Sequence, residues 1–206
     1  MPAKDKKVKK KHRNIRKVGT VPTFGSMQVC QVIKYTIFQT QWGFFGLAGS
    51  ENEVSRTSLP VETRSKAEIL LTGNLVPASN LENLRFEQRL FSKLQNRITA
   101  YFNGSYIDFS DVPLVLDGLT AFGREVLTAC RKIPYSRTAS YARLAELAAR
   151  PRAVRAVGNI LSRNPLPLLI PCHRIIRTNG RIGGFTAAGG TKLKQKMLKL
   201  EQKARL

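Results

Sequence analysis

The pattern of apolar and polar residues in the N-terminal half predicts strands followed by a helix. Apolar and polar residues alternate from residue 29 onward, a turn is plausible at 41–43, and the apolar run FFGLAG follows it, as in a β-hairpin. Between 84 and 102 apolar residues recur every three or four positions, which predicts a helix that ends at Asn103 and Gly104. Residues 28–112 are therefore expected to form a small α/β domain, and we find no catalytic cluster of side chains in its sequence.

The C-terminal half is predicted to be mostly helical, which makes the fold class α+β. After a connector at 113–118, a second domain over 119–206 begins with an amphipathic helix that carries Cys130 on its apolar face. A cysteine in that position is expected to be a buried apolar residue rather than a nucleophile. The apolar residues 168–170 predict a short buried strand, and a last helix is predicted over 191–204.

Two short helices in this half are joined closely enough to form a helix-turn-helix. Ser140 can cap the first, YARLAELAA, and Pro151 suits the first turn of the second, RAVRAVGNILSRN. The second helix carries Arg152, Arg155 and Arg163 and no acidic residue, which favours contact with DNA. Many helical hairpins share this shape, so the pattern alone leaves a purely structural pair of helices open.

The net charge of +22 is distributed unevenly along the chain. Residues 126–206 hold seventeen basic and two acidic residues, whereas residues 18–125 are close to neutral. A strong basic excess indicates a polyanionic partner, most often nucleic acid, and its position favours the C-terminal domain as the binding surface. A merely solvated basic surface is the alternative. The basic tail at 1–27 is expected to be disordered, as a nucleic-acid arm, a nuclear localisation signal or a solubilising segment.

The cysteine and histidine content limits metal and disulfide chemistry. Cys30, Cys130 and Cys172 form no C-x-x-C pair, which argues against a disulfide framework and for a reducing compartment. With only two histidines, the chain offers no convincing set of four zinc ligands, and we expect no metal. No apolar run approaches the roughly 20 residues of a membrane span, and no signal-peptide core follows the basic N-terminus, so we expect no membrane partner.

The segment NPLPLLIPCHRIIRTNGRIGGF carries the candidate chemistry. A thiol reacts as the thiolate, and His173, Arg174 and Arg177 are expected to favour that form of Cys172. Neighbouring side chains of an extended chain point to opposite faces, so His173 would reach the thiol through a water or only where the backbone turns. An acid would be needed to orient His173, and Glu201 is one of the two acids of residues 126–206. A buried cysteine followed by a core histidine is the structural alternative.

The run NPLPLLIPCHRII, with RAVGN upstream and a glycine pair before an aromatic residue downstream, closely resembles the O6-alkylguanine-DNA alkyltransferases (methylated-DNA–protein-cysteine methyltransferases). The resemblance is strongest over 119–203 and weaker over 29–118. It implies a ribonuclease H-like N-terminal domain and a C-terminal domain with a winged helix-turn-helix that enters the minor groove. It also implies DNA repair, in which the alkyl group of O6-alkylguanine in double-stranded DNA is transferred to the protein's own cysteine after base flipping. This transfer would be stoichiometric and irreversible, would need no cofactor, and would be carried out by a monomer, with cooperation on DNA left open. The expected location is the cytoplasm and nucleoid, or the nucleus.

The family's functional residues can be placed on this chain by the resemblance. Cys172 matches the acceptor cysteine, His173 the histidine that deprotonates it through a water, and Glu201 the glutamate that orients this histidine. Tyr141 matches the tyrosine that assists flipping and protonates the leaving guanine, and Arg155 the arginine that fills the gap in the base stack. The remaining DNA-contacting and pocket-lining candidates are Arg152, Arg163, Asn164, Pro167, Phe185 and Thr186.

Two departures from the family pattern leave the range of accepted alkyl groups open. Phe185 stands where many relatives have a tyrosine, and the loop at 186–190 is longer than expected.

Two other functions are compatible with parts of the sequence. A lesion sensor of the same fold would bind without repair, but such sensors typically lack the cysteine. A Cys-His hydrolase would need repeated turnover and an oxyanion hole.

Overall fold

The structure is a computed structural model that describes residues 32–73 and 83–204. The basic tail predicted at 1–27 and the first residues of the predicted strand, 29–31, lie outside the described residues. None of the described helices is long and apolar enough to cross a bilayer.

The N-terminal half is a four-stranded sheet with a helix on each face. Its strands are β1 (Ile33–Thr40), β2 (Gly43–Gly49), β3 (Val54–Val61) and β4 (Leu84–Phe86), in the order β3-β2-β1-β4. The first three strands are antiparallel, and β4 pairs parallel with β1. Helix α1 (Arg64–Thr72) covers one face and α2 (Ser92–Phe102) the other, because alternate strand residues are buried against each helix. The predicted hairpin and its turn are confirmed.

The helix predicted over 84–102 is wrong in its first part. Residues 84–86 form β4, with Phe86 opposite Tyr35 of β1, and the centroids of the two rings are 5.6 Å apart. Helix α2 begins only after Phe91, whose φ of 55° breaks the helical path. The apolar spacing does not distinguish a strand from a helix here, because the strand depends on pairing with β1, whose paired residues lie 51 positions earlier in the chain.

The C-terminal half contains four helices and a short parallel ribbon. The helices are α3 (Ala121–Arg131), α4 (Tyr141–Leu147), α5 (Val154–Ser162) and α6 (Gly190–Lys203). The ribbon pairs β5 (Ala139–Ser140) with β6 (Ile175–Ile176). The Ser140 side chain accepts a hydrogen bond from the backbone N–H of Arg143, as predicted for a helix cap. Cys130 is fully buried on α3, which confirms its expected place in the core.

Helix α5 begins three residues later than predicted. Pro151 and Arg152 lie in the turn between α4 and α5, and the N–H of Ala153 closes that turn by donating to the Arg150 carbonyl at 2.9 Å. Arg152 is therefore outside the helix on which it was predicted, whereas Arg155 lies in its first turn.

The strand predicted at 168–170 is also wrong, although its burial was predicted correctly. Leu168 has a φ of 78°, and the N–H of Ile170 donates back to the Leu166 carbonyl at 2.8 Å, so the chain forms a tight turn. No neighbouring strand pairs with this turn among the described residues. A 3-10 helix, Cys172–Arg174, follows it at once. The main hydrophobic core is continuous from the α2 side of the sheet into the C-terminal helices, and the division into domains at 113–118 stays a prediction.

Candidate active site

Cys172 lies at the base of a cavity of about 610 Å³ and is 7% exposed. The turn that precedes it is held by Asn164. The side-chain oxygen of Asn164 accepts a hydrogen bond from the N–H of Leu166 at 3.0 Å, and its Nδ2 donates to the Ile170 carbonyl at 2.9 Å. The same Nδ2 lies 3.3 Å from the Cys172 sulfur and donates to it. One amide thus fixes the turn and presents a donor to the thiol.

The electrostatic surroundings of the thiol differ from those expected from the sequence. Burial raises the pKa of Cys172, and the hydrogen bond from Asn164 and the charge of Lys194 oppose this rise. Arg174 does not act in this way, because its guanidinium is bonded to Glu201, and Arg177 is exposed. The free protein therefore holds its thiol mostly protonated, and proton removal has to be part of any reaction at Cys172.

His173, the residue after Cys172, forms a buried pair with Glu201. The His173 Nε2 and the Glu201 Oε1 are 2.8 Å apart, and both side chains are fully buried. Burial lowers the pKa of His173, so its ring is neutral near pH 7. Because the ionised carboxylate only accepts, Nε2 carries the proton and Nδ1 is left as the acceptor. Nδ1 is buried and has no hydrogen-bond partner among the described residues.

Glu201 accepts hydrogen bonds from four different groups. Besides His173 these are the Arg174 Nε at 3.0 Å, the Tyr101 hydroxyl at 2.8 Å and the backbone N–H of Ser136 at 3.0 Å. Burial alone would raise the pKa of Glu201, but the hydrogen bonds from His173 and Arg174 outweigh it and lower the pKa to about 2. The other acid of residues 126–206, Glu146, is exposed and paired with Arg143. Of the two acids, only Glu201 is placed to orient the histidine.

Tyr141 borders the cavity from the opposite side. The β5–β6 ribbon places the start of α4, and so Tyr141, beside the chain that leaves Cys172–Arg174. Its ring passes so close to Gly183 that a Cβ there would lie 2.6 Å from the ring atoms. This close contact requires glycine at position 183, because any side chain there would collide with the tyrosine. Burial raises the pKa of Tyr141, so its hydroxyl is protonated and can donate.

Lys194 is a buried cation that the sequence reasoning missed. It lies on α6, donates to the Ile175 carbonyl, and its Nζ is 5.7 Å from the centre of the Tyr141 ring and 5.8 Å from that of Phe185. Burial lowers the pKa of Lys194, and the nearby thiols oppose this. Tyr101 was missed as well, although a buried tyrosine requires a partner for its hydroxyl.

The other candidate residues divide into those that line the cavity and those that do not. Arg155, Asn164, Pro167, Phe185 and Thr186 line it together with Tyr141 and Cys172. The Thr186 hydroxyl donates to the Ser162 carbonyl at 2.7 Å and so ties the long loop to the end of α5. Arg152 and Arg163 are exposed at the two ends of α5 and do not line the cavity. No group of side chains suited to a metal ion occurs in the described ranges.

Comparison with known proteins points to a single family. The family model of the 6-O-methylguanine DNA methyltransferase DNA-binding domain matches residues 121–203. The methylated-DNA–protein-cysteine methyltransferase of Methanosarcina acetivorans is 36% identical over 167 residues, which are 81% of this chain and 97% of that protein. The corresponding protein of Mycolicibacterium paratuberculosis is 31% identical over 172 residues, or 84% and 94% of the two chains.

A solved structure shows the same fold. The crystal structure of Mycobacterium tuberculosis OGT in complex with DNA has a TM-score of 0.67 and 30% identity to this chain, and covers 83% of this chain and 94% of that one. The mixed α+β architecture of the described residues, with its sheet and six α-helices, therefore matches that of a known relative. The chain belongs to the methylated-DNA–protein-cysteine methyltransferase family.

Proposed function

We propose that this protein repairs DNA by transferring the alkyl group of an O6-alkylguanine in duplex DNA to Cys172, once per molecule. The observation that carries this proposal is the position of the thiol. It lies at the base of a cavity that can admit a base, and the next residue in the chain, His173, is buried and hydrogen-bonded to Glu201. Family membership supports the same reaction. The partner is double-stranded DNA, and the protein binds it as a monomer. Repair takes place where the DNA is located, in the nucleoid or the nucleus.

The proton of the thiol leaves through His173. The unpartnered Nδ1 is the acceptor, and a water between it and the sulfur carries the proton. The ionised Glu201 stabilises the imidazolium that results, through the hydrogen bond from Nε2. Asn164 and Lys194 stabilise the thiolate by a hydrogen bond and by charge. His173 and Glu201 thus act on the proton that leaves the thiol, and Asn164 and Lys194 act on the negative charge that remains on the sulfur.

The lesion reaches the thiol by base flipping. In this proposal α4 and α5 are the two helices of a winged helix-turn-helix, α5 enters the minor groove, and the N-terminal sheet is a ribonuclease H-like domain. Arg155 is exposed in the first turn of α5, and α5 turns its apolar side inward through Val157 and Leu161. From this position Arg155 fills the gap that the flipped guanine leaves. Arg152 and Arg163, at the ends of α5, bind phosphates.

The transfer itself needs only the thiolate and a proton donor. The thiolate attacks the alkyl carbon, the bond from this carbon to O6 breaks, and its electron pair goes to the guanine ring. The protonated Tyr141 hydroxyl, at the edge of the cavity, then donates a proton to the leaving guanine. The product is a thioether, which no side chain of the site cleaves. Repair is therefore stoichiometric and requires no cofactor.

The test is a count of repaired bases. Duplex DNA with a single O6-methylguanine is incubated with limiting protein, and the remaining lesion is quantified after digestion to nucleosides. We expect one lesion lost per protein molecule, no loss with Cys172→Ala, and full repair with Cys130→Ala, the matched change at the other described cysteine. More than one lesion lost per molecule would indicate turnover. Lesion-selective binding without any loss would indicate a sensor.

A further inference from the structure

The cavity above Cys172 continues onto the sheet of the N-terminal half. On that side it is lined by Arg56 of β3 and Leu70 of α1. Arg155 and Arg177 line it elsewhere, and no Asp or Glu of the described residues does. The cavity is therefore lined by positive charge alone, and part of this charge comes from the half in which the sequence showed no catalytic cluster.

Arg56 differs from the other half-buried arginines because no described residue neutralises its charge. Its guanidinium has no hydrogen bond or ion pair with any described residue, and burial lowers its pKa without an opposing partner. By contrast, Arg97 is paired with Asp111, and Arg131 donates to backbone carbonyls. Partial burial of an unpaired charge costs free energy. A cation kept at that cost beside a reactive cavity indicates that its partner arrives with the substrate.

The position of Arg56 relative to the thiol is set by the backbone. Its neighbour Thr57 donates twice to the segment that leads to Cys172: its N–H donates to the Pro165 carbonyl at 3.0 Å, and its hydroxyl donates to the Pro167 carbonyl at 2.7 Å. These bonds hold β3 against the turn that Asn164 organises. The arginine is thus placed for a ligand in the cavity before the ligand binds.

We propose that Arg56 binds an anionic oxygen group of the substrate in this cavity. Guanidinium binds phosphate and carboxylate alike, through paired N–H donors. Two sources supply such a group: a phosphate beside the flipped nucleotide, or a carboxylate at the end of an O6-alkyl chain. The volume of about 610 Å³ leaves room for a chain longer than methyl. This inference rests on the proposed function, because both groups enter with the guanine.

The experiment compares Arg56→Gln with the wild type on three substrates. These are duplex DNA with O6-methylguanine, duplex DNA with O6-carboxymethylguanine, and the free base O6-benzylguanine, which has neither phosphate nor carboxylate. Arg85→Gln is the matched control, because Arg85 is an exposed arginine of β4 in the same sheet and outside the cavity. The second-order rate constant of Cys172 alkylation is measured for each pair of protein and substrate.

We expect Arg56→Gln to react about tenfold more slowly where the anion is present, as for the loss of a charged hydrogen bond. A loss on both duplexes identifies the phosphate, and a loss on the carboxymethyl duplex alone identifies the carboxylate. Unchanged rates on both duplexes, an equal loss with O6-benzylguanine, or the same loss in Arg85→Gln would overturn the proposal. If the wild type itself transfers no methyl group, the proposed function is wrong. In that case, fluorescence anisotropy measures the affinity of the same variants for duplex DNA that contains the lesion. Weaker binding by Arg56→Gln but not by Arg85→Gln supports the anion site, and equal binding by both contradicts it.

Discussion

The hydrogen bond from Asn164 to the Cys172 sulfur is expected to control how readily the thiol ionises. Asn164→Ala removes the donor at 3.3 Å, while the charge of Lys194 stays in place. A hydrogen bond to a charged group contributes about 1.5–3 kcal/mol, and about 1.4 kcal/mol corresponds to one pKa unit. Because 3.3 Å is long, we take the lower end and expect the pKa of Cys172 to rise, with about tenfold less thiolate than in the wild type at the same pH.

The assay is the rate of Cys172 alkylation by iodoacetamide as a function of pH, with the modified residue identified by peptide mass spectrometry. At pH values below the pKa, Asn164→Ala should react about tenfold more slowly than the wild type, and the two rates should converge at high pH. Asn159→Ala serves as the control, since Asn159 is exposed on the neighbouring helix α5. A rate for Asn164→Ala that is lower than the wild-type rate by the same factor at every pH would mean that iodoacetamide reaches the sulfur less easily. The pKa of Cys172 would then be unchanged, and Asn164 would not control its ionisation.

Four further predictions concern base flipping, the Tyr101–Glu201 hydrogen bond, the ionisation of Glu201 and the basic surface. Arg155→Ala should slow repair in duplex DNA much more than reaction with free O6-benzylguanine, and equal losses in the two rates would rule out a role in base flipping. Tyr101→Phe should lower the free energy of unfolding in urea by about 1.5–3 kcal/mol, since it removes a buried hydrogen bond to a carboxylate. The matched change at the exposed Tyr106, Tyr106→Phe, should change the free energy of unfolding by less than about 0.5 kcal/mol. Equal effects of the two changes would contradict the hydrogen bond between Tyr101 and Glu201. Because the pKa of Glu201 is lowered to about 2, its ionised form stabilises the fold above the unfolded-state value of 4.5, and this stabilisation is lost as pH falls toward 2. The stability difference between the wild type and Glu201→Gln should therefore shrink over that range, and a constant difference would argue against the lowered pKa. Binding to undamaged duplex should weaken steeply as salt rises, and a flat response would contradict the basic binding surface.

Sequence patterns predicted those parts of the fold that depend on local chemistry. The cap at Ser140, the buried position of Cys130 and the last helix all follow from the spacing of residues within one element. The strand at 84–86 does not, because it forms only by pairing with β1. The turn at Leu168 does not either, because it depends on the Asn164 side chain and on a hydrogen bond from Thr57 of β3 to the Pro167 carbonyl. Their apolar patterns fit more than one local structure, and tertiary partners decided between them.

The candidate site was predictable to the extent that its residues lie in one recognisable segment. Cys172, His173 and Asn164 are close in sequence, and the structure brings them together with Glu201 and Tyr141. The donors that surround Glu201 come from elsewhere, and Tyr101 is 100 residues away from it. Its place on the apolar face of α2 predicted burial but could not identify the acceptor of its hydroxyl. Lys194 had no distinguishing signal, because it is one of several lysines on α6.

In the proposed reaction Cys172 is the acceptor of the alkyl group. Intact-protein mass spectrometry and peptide mapping, after incubation with duplex DNA that contains O6-methylguanine, would show whether it is. We predict one added methyl group per molecule, located on Cys172, saturating at that level and absent from Cys172→Ala. A methyl group on another residue, or an unmodified protein after the lesion has been removed, would contradict the account.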